Sequence, residues 1–65
     1  MFKEVKRFES NKGIFTIDSC VFDGKLYIFK ISSVSENFGD IGERVNSCSY
    51  VDIASAERDL KDLYL

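Results

Sequence analysis

A chain of 65 residues with 45% hydrophobic composition holds one core and leaves no room for a second domain, because so short a chain buries only about 60% of its unfolded surface. Nine Lys and Arg against 11 Asp and Glu leave a net charge of −2, and there is no histidine, which removes the commonest general base and the commonest neutral metal ligand. No apolar run approaches the roughly eighteen residues of a membrane span, and Lys3, Glu4, Lys6, Arg7 and Glu9 interrupt any signal-peptide core, so the expected compartment is the cytoplasm.

Residues 2–8 read as a strand with Phe2 and Phe8 on one face, although Phe2, Val5 and Phe8 also nearly fit a helical stripe. The strand is preferred because the next segment needs sheet partners. Asn11-Lys12-Gly13 is the expected turn, with Gly13 at positive φ. Residues 14–22 and 25–32 are rich in β-branched and aromatic side chains, and Asp23-Gly24 between them signals a hairpin. A two-residue loop pairs Ile17 with Lys30 and leaves both faces mixed. A three-residue loop with Gly24 as a bulge pairs Ile17 with Phe29 and Phe15 with Ile31. One face then collects Phe15, Ile17, Val21, Tyr27, Phe29 and Ile31, and such a one-sided core makes this the expected register.

Between residues 33 and 49, Gly39 and Gly42 interrupt Phe38, Ile41 and Val45. Two readings stand: a short helix capped by Ser35, with each glycine costing about 1 kcal/mol, or a loop leading to an edge strand around residues 44–48. The edge strand is preferred, because Arg44-Val45-Asn46-Ser47-Cys48 is short and polar. Beyond it, Ser49 or Asp52 caps a helix with Ile53, Ala56, Leu60, Leu63 and Tyr64 on one stripe. Glu57 with Lys61, and Arg58 with Asp62, are spaced as i,i+4 pairs on its polar side. The expected fold is α+β: a small antiparallel sheet of three to four strands around a central hairpin, packed by one C-terminal helix in a single domain over residues 1–65.

Cys20 and Cys48 read first as reduced thiols in a chain without an export signal. A disulfide between them is the alternative, and would supply a staple to a small core. Two isolated cysteines do not make a zinc site, and a cysteine nucleophile lacks its histidine. Gly39-Asp40-Ile41-Gly42 lacks the frame of a phosphate loop. No catalytic residue, metal or cofactor is expected, and the chain is read as a non-enzyme.

Charge is split along the chain. Residues 1–30 hold six Lys and Arg against four acids, and residues 31–65 hold three against seven, an asymmetry that steers charged partners. The acids on the final helix, Asp52, Glu57, Asp59 and Asp62, suggest imitation of nucleic-acid phosphates, but Arg58 and Lys61 dilute them. Aromatic residues interleaved with Lys12, Lys25 and Lys30 raise single-stranded nucleic-acid binding. Against it stand the negative net charge and an expected burial of the rings under the helix.

The leading expectation is a small protein-binding module. In the expected register the hairpin's second face carries Ile14, Thr16, Asp18, Cys20, Leu26, Ile28 and Lys30, which is more apolar than a solvated face needs to be. The candidate interface is Ile14, Thr16, Asp18, Leu26, Ile28 and Lys30. Strand addition at a sheet edge is a second docking mode, and a second copy of the chain, as a homodimer, satisfies either. Lys, Asn, Phe, Ile and Tyr supply 24 residues and Gly, Ala, Pro and Arg only 9. That bias fits an AT-rich coding source and a phage or mobile-element inhibitor or antitoxin that binds a host or defence protein.

Overall fold

The computed structural model describes residues 1–33, 39, 41–46 and 48–65. Four antiparallel strands, β1 (Phe2–Ser10), β2 (Gly13–Cys20), β3 (Leu26–Ser33) and β4 (Ile41–Arg44), lie side by side in chain order, and α1 (Ile53–Leu63) follows them. The α+β architecture expected from the sequence is the one observed. Of the residues on which the helical reading of residues 33–49 rested, Ser35 and Phe38 lie outside the described residues, while Ile41 lies in β4 and Val45 just past it rather than in a helix.

Strand β1 turns into β2 through Asn11 and Lys12, with Ser10 opposite Gly13. Gly13 sits at φ 130°, where a side chain would strain the backbone. The Lys12 N–H donates to Ser10 Oγ and tightens the turn. At Val5 the pairing shifts by one residue, so that Glu4 faces Asp18 while Lys6 faces Ile17. This bulge inverts the alternation of side chains along β1. Phe2 and Phe8, expected on one face, therefore lie on opposite faces: Phe8 packs on the core and Phe2 does not.

The turn between β2 and β3 is one residue longer than expected. The Cys20 N–H donates to the Lys25 carbonyl and the Gly24 N–H to the Cys20 carbonyl, so four residues, Val21 to Gly24, close the hairpin. Gly24 does take positive φ, at 69°. The Asp23 carboxylate fixes this loop by accepting from the Lys25 N–H at 2.8 Å and from the Tyr27 hydroxyl at 2.7 Å. The register is consequently Ile17 with Ile28, Phe15 with Lys30 and Thr16 with Phe29. A one-residue slip sends every side chain of a strand to the other face. The expected aromatic core face is thereby corrected: Tyr27, Phe29 and Ile31 leave it, and Leu26 and Ile28 enter it.

Helix α1 covers this aliphatic face. Asp52 caps it, its side chain accepting from the Ser55 N–H, which is one of the two caps foreseen. Phe15, Ile17, Ile28, Ala56 and Leu60 form the buried cluster, flanked by Phe8, Leu26, Val45, Tyr50 and Tyr64. Ile17, Ile28 and Leu60 are 0% exposed, and each buried side chain of this size contributes about 1.5–3 kcal/mol. Tyr64 stacks on Phe15, while Leu63 points outward at 68% exposure. Glu57 does not settle on its own helix: its carboxylate meets Lys6 Nζ of β1 at 2.5 Å, and Arg58 lies 3.8 Å from Asp59. The Lys6 ammonium holds the Glu57 carboxyl below its ordinary range.

The edge strand forms at Ile41–Arg44 rather than around residues 44–48. Past it, the chain leaves the sheet, and a side chain completes the ladder. Val45 N–H donates to the Ile28 carbonyl, and the Ile28 N–H is received by Asn46 Oδ1 at 2.8 Å. Asn46 Nδ2 donates to the Cys48 carbonyl. Tyr50 then exchanges both backbone hydrogen bonds with Leu26. Gly42 explains why β4 fits so closely: a Cβ there would lie 2.7 Å from the Lys30 carbonyl oxygen and 2.9 Å from Ile31 Cδ1. Gly42→Ala is expected to push β4 away from β3 and lower stability by about 1 kcal/mol, the low end for overpacking because an exposed edge can move. The check is a reduced urea midpoint with faster amide exchange confined to Arg44 and its β3 partners.

Candidate functional site

The side of the sheet turned away from α1 presents Phe2, Glu4 and Arg7 of β1, Thr16 and Asp18 of β2, and Tyr27, Phe29 and Ile31 of β3. Among the described residues no helix or strand lies over it. The Val5 bulge brings Phe2 to this side, where its ring meets Tyr27 at 5.5 Å and Phe29 at 5.0 Å, both edge-on. Such edge-to-face pairs are worth about 0.5–1.5 kcal/mol beyond their area burial. Tyr27 is also held from above by the Arg44 guanidinium, 5.1 Å from its ring, and from its tip by Asp23. The Tyr27 hydroxyl raises its pKa through that bond and the Asp23 carboxyl falls below its ordinary range.

Beside these rings runs a groove of about 200 Å³, lined by Phe2, Glu4, Thr16, Asp18, Phe29, Ile31 and Gly42. Its polar end is a cross-strand pair of carboxylates, Glu4 opposite Asp18. Arg7 donates to Glu4 at 3.1 Å, and the Thr16 hydroxyl donates to Asp18 Oδ1 at 2.6 Å. Thr16 is almost fully buried, so this bond is held in place by packing. Burial pushes the Asp18 carboxyl above its ordinary range; the Thr16 bond opposes this, Glu4 adds to it and Arg7 subtracts.

The raised value has a stability consequence. A carboxyl that holds its proton more tightly in the folded state than in the unfolded chain destabilises the fold above the folded pKa, and that penalty disappears as pH falls below the unfolded value. Asp18→Asn keeps an oxygen for Thr16 and removes the charge. It is expected to raise the urea midpoint at neutral pH, with a gain that shrinks to nothing in acid. The Asp23, Asp52 and Glu57 carboxyls, all lowered, carry the opposite pH trend in both proteins and cancel from the difference.

The six residues expected to form an interface divide between the two faces. Ile14, Thr16 and Asp18 are on the side away from α1, but Thr16 is 1% exposed and, contrary to expectation, is itself closed to a partner. Leu26 and Ile28 pack under α1, and Ile28 is wholly buried and unreachable by a partner. Lys30 lies on the helix side too, its ammonium 5.9 Å from the Phe15 ring. The cause is the register, which moved β3 by one residue. Tyr27 and Phe29, expected on the core face, lie instead on the side away from α1, where Phe2 meets them.

A second depression, of about 340 Å³, lies between the end of α1 and the segment after β4, lined by Val45, Asn46, Cys48, Tyr50, Asp59, Leu63 and Tyr64. Its polar groups serve the fold. Tyr64 Oη donates to the Val45 carbonyl, and Tyr50 is pushed up to about 12 by burial and by its bond to Asp59. Cys48 is exposed there, Cys20 is buried in β2, and no disulfide joins them. Among the described residues no three Cys, Asp or Glu side chains converge as a metal site, and no helix is long and apolar enough to cross a membrane. Comparison of the chain with family models, curated proteins and solved structures produced no match.

Proposed function

We propose that this domain is a non-catalytic protein-binding module that receives its partner on the uncovered sheet face, around Phe2, Tyr27 and Phe29. The observation that carries the reading is the layering of the sheet: α1 packs on one face, and the other, on which Thr16 and Cys20 are buried, keeps Phe2 against the half-buried rings of Tyr27 and Phe29 beside a groove, with no helix or strand over them among the described residues. Aromatic side chains are enriched at protein interfaces and among their hot spots. The fold's edges fit docking less well. The β1 edge is broken by the Val5 bulge and studded with charge, and β4 has four residues; both are devices that blunt strand addition.

An inhibitor or antitoxin acting on a host or defence protein is one role such a module fills. The test is retention from an extract of the source cells on immobilised protein. The wild type is expected to hold a protein that Phe29→Ser releases and that Asp62→Lys, on the solvent side of α1, retains. Equal retention by Phe29→Ser, with folding verified by circular dichroism, would remove the face from consideration. Light scattering that returned a dimer for the wild type and a monomer for Phe29→Ser would make the partner a second copy.

Single-stranded nucleic acid is a second reading, and the register favours it more than composition does. The rings expected under the helix are on the open side, with Arg7 and Arg44 beside them. Two features weigh against it. Phe2 meets its neighbours edge-on, at 86° and 70°, which leaves no flat tier for stacked bases. Glu4, Asp18 and Asp23 also outnumber the two arginines there. A dissociation constant for an oligonucleotide that weakens steeply with salt is the result that would promote this reading.

A further inference from the structure

We propose that the groove seats the side chain of a lysine or arginine from the partner protein, its cation against Glu4 and Asp18 and its aliphatic stem along Phe2, Phe29 and Ile31. This rests on the reading of the uncovered face as a docking surface and specifies what enters it. The groove's volume of about 200 Å³ is below the roughly 300–1,000 Å³ of small-molecule sites. It suits one long side chain instead.

Its two ends differ in chemistry. Phe2, Phe29 and Ile31 supply apolar walls, and Glu4 with Asp18 supplies the charge. Long basic side chains have this same division between an apolar stem and a charged head.

Charge complementarity selects the basic residue. Like charges directly opposite one another on neighbouring strands destabilise a sheet, yet Glu4 and Asp18 occupy such positions. Neither is directed away from the groove: Arg7 fixes Glu4, and the buried Thr16 fixes Asp18. Among the described residues one cation, Arg7, stands against the two carboxylates, and the groove keeps room for another. Among the described residues, the charged groups acting on Asp18 are Glu4 and Arg7 from β1, and Arg44 from β4 lies over the neighbouring Tyr27 ring. The arrangement costs the isolated fold stability that an arriving ammonium or guanidinium restores, a pattern expected where a site is kept for binding rather than for folding. The net charge of −2 favours a basic partner at longer range.

The experiment titrates ¹⁵N-labelled full chain with three capped pentapeptides, Ac-Gly-Leu-Xaa-Leu-Gly-NH2, in which Xaa is lysine, norleucine or glutamate. The lysine peptide is expected to shift the amides of Phe2, Asp18, Phe29 and Gly42 saturably. The norleucine peptide, with the same four-carbon stem and no ammonium, should bind about tenfold more weakly, as a charge-assisted and ring-flanked contact implies. Asp18→Asn, a variant expected to be more stable than the wild type, should lose most of that discrimination. Equal binding of the lysine and norleucine peptides overturns the cation while leaving the docking face intact. Preference for the glutamate peptide overturns the cation as well. Absence of any shift at those four amides with all three peptides, while a single-stranded oligonucleotide shifts them, overturns both this inference and the protein-docking reading beneath it.

Discussion

Ile28→Asp is expected to leave the chain unfolded. Ile28 is 0% exposed, pairs with the equally buried Ile17, and lies under Leu60 and Ala56 of α1. An unpaired carboxylate there costs several kcal/mol, and a core of this size supplies only about 3–5 kcal/mol in total. Far-UV circular dichroism and an amide correlation spectrum at 25 °C read the outcome; native dispersion in that spectrum would contradict the placement of Ile28. The neighbouring Phe29→Ser is expected to keep the native spectrum, because Phe29 lies on the other face. The pair of variants separates the observed register from one shifted by a single residue, in which Phe29 and not Ile28 would face Ile17 under the helix.

Asn46→Ala carries the second large effect, and its cause is a hydrogen bond rather than packing. The Ile28 N–H has no backbone acceptor where the chain leaves β4, and Asn46 Oδ1 takes that place while Nδ2 secures the Cys48 carbonyl. Truncation leaves a buried donor without a partner, which costs about 1–3 kcal/mol. The urea midpoint should fall with the slope unchanged, and protection of the Ile28 amide should drop more than that of Ile17. Equal loss at both amides would mean that Asn46 acts only through global stability.

Much of the fold is legible in the residues because its signals are local. Asp23-Gly24 marks a reversal, Asp52 ahead of Ile53, Ala56 and Leu60 marks a capped amphipathic helix, and Gly13 marks a turn with positive φ. Each of these depends on neighbours within one turn of the chain. The features that were misread depend on distant partners. A bulge at Val5 has no sequence signature when the strand is charged throughout, and it alone decides that Phe2 and Phe8 part company. The loop at Val21 to Gly24 is lengthened by the Asp23 bond to Tyr27, a contact that a count of turn residues does not weigh. Asn46 serves a backbone group eighteen positions away.

The candidate site inherits these differences. Thr16 and Asp18 fall on the side of the sheet away from α1, as expected, because the alternation of β2 is intact, although Thr16 is almost fully buried there. Tyr27 and Phe29 were missed because hydrophobicity assigned them to the core, whereas the core took the aliphatic Leu26 and Ile28 and left the rings outside. That exchange also reverses an argument about function. Rings buried under a helix exclude base stacking, and half-buried rings with no helix or strand over them among the described residues do not, so the case against nucleic acid passes to charge and ring geometry.

The two unlike faces of one sheet are the foundation of both the proposed docking and the lysine groove, and side-chain proximity in solution tests them most directly. A ¹³C-edited nuclear Overhauser spectrum of the wild type is predicted to connect the Ile28 methyls with those of Ile17 and Leu60, and the Phe2 ring with the rings of Tyr27 and Phe29. Cross-peaks from the Phe29 ring to Leu60, with none from Ile28 to Leu60, would contradict the account.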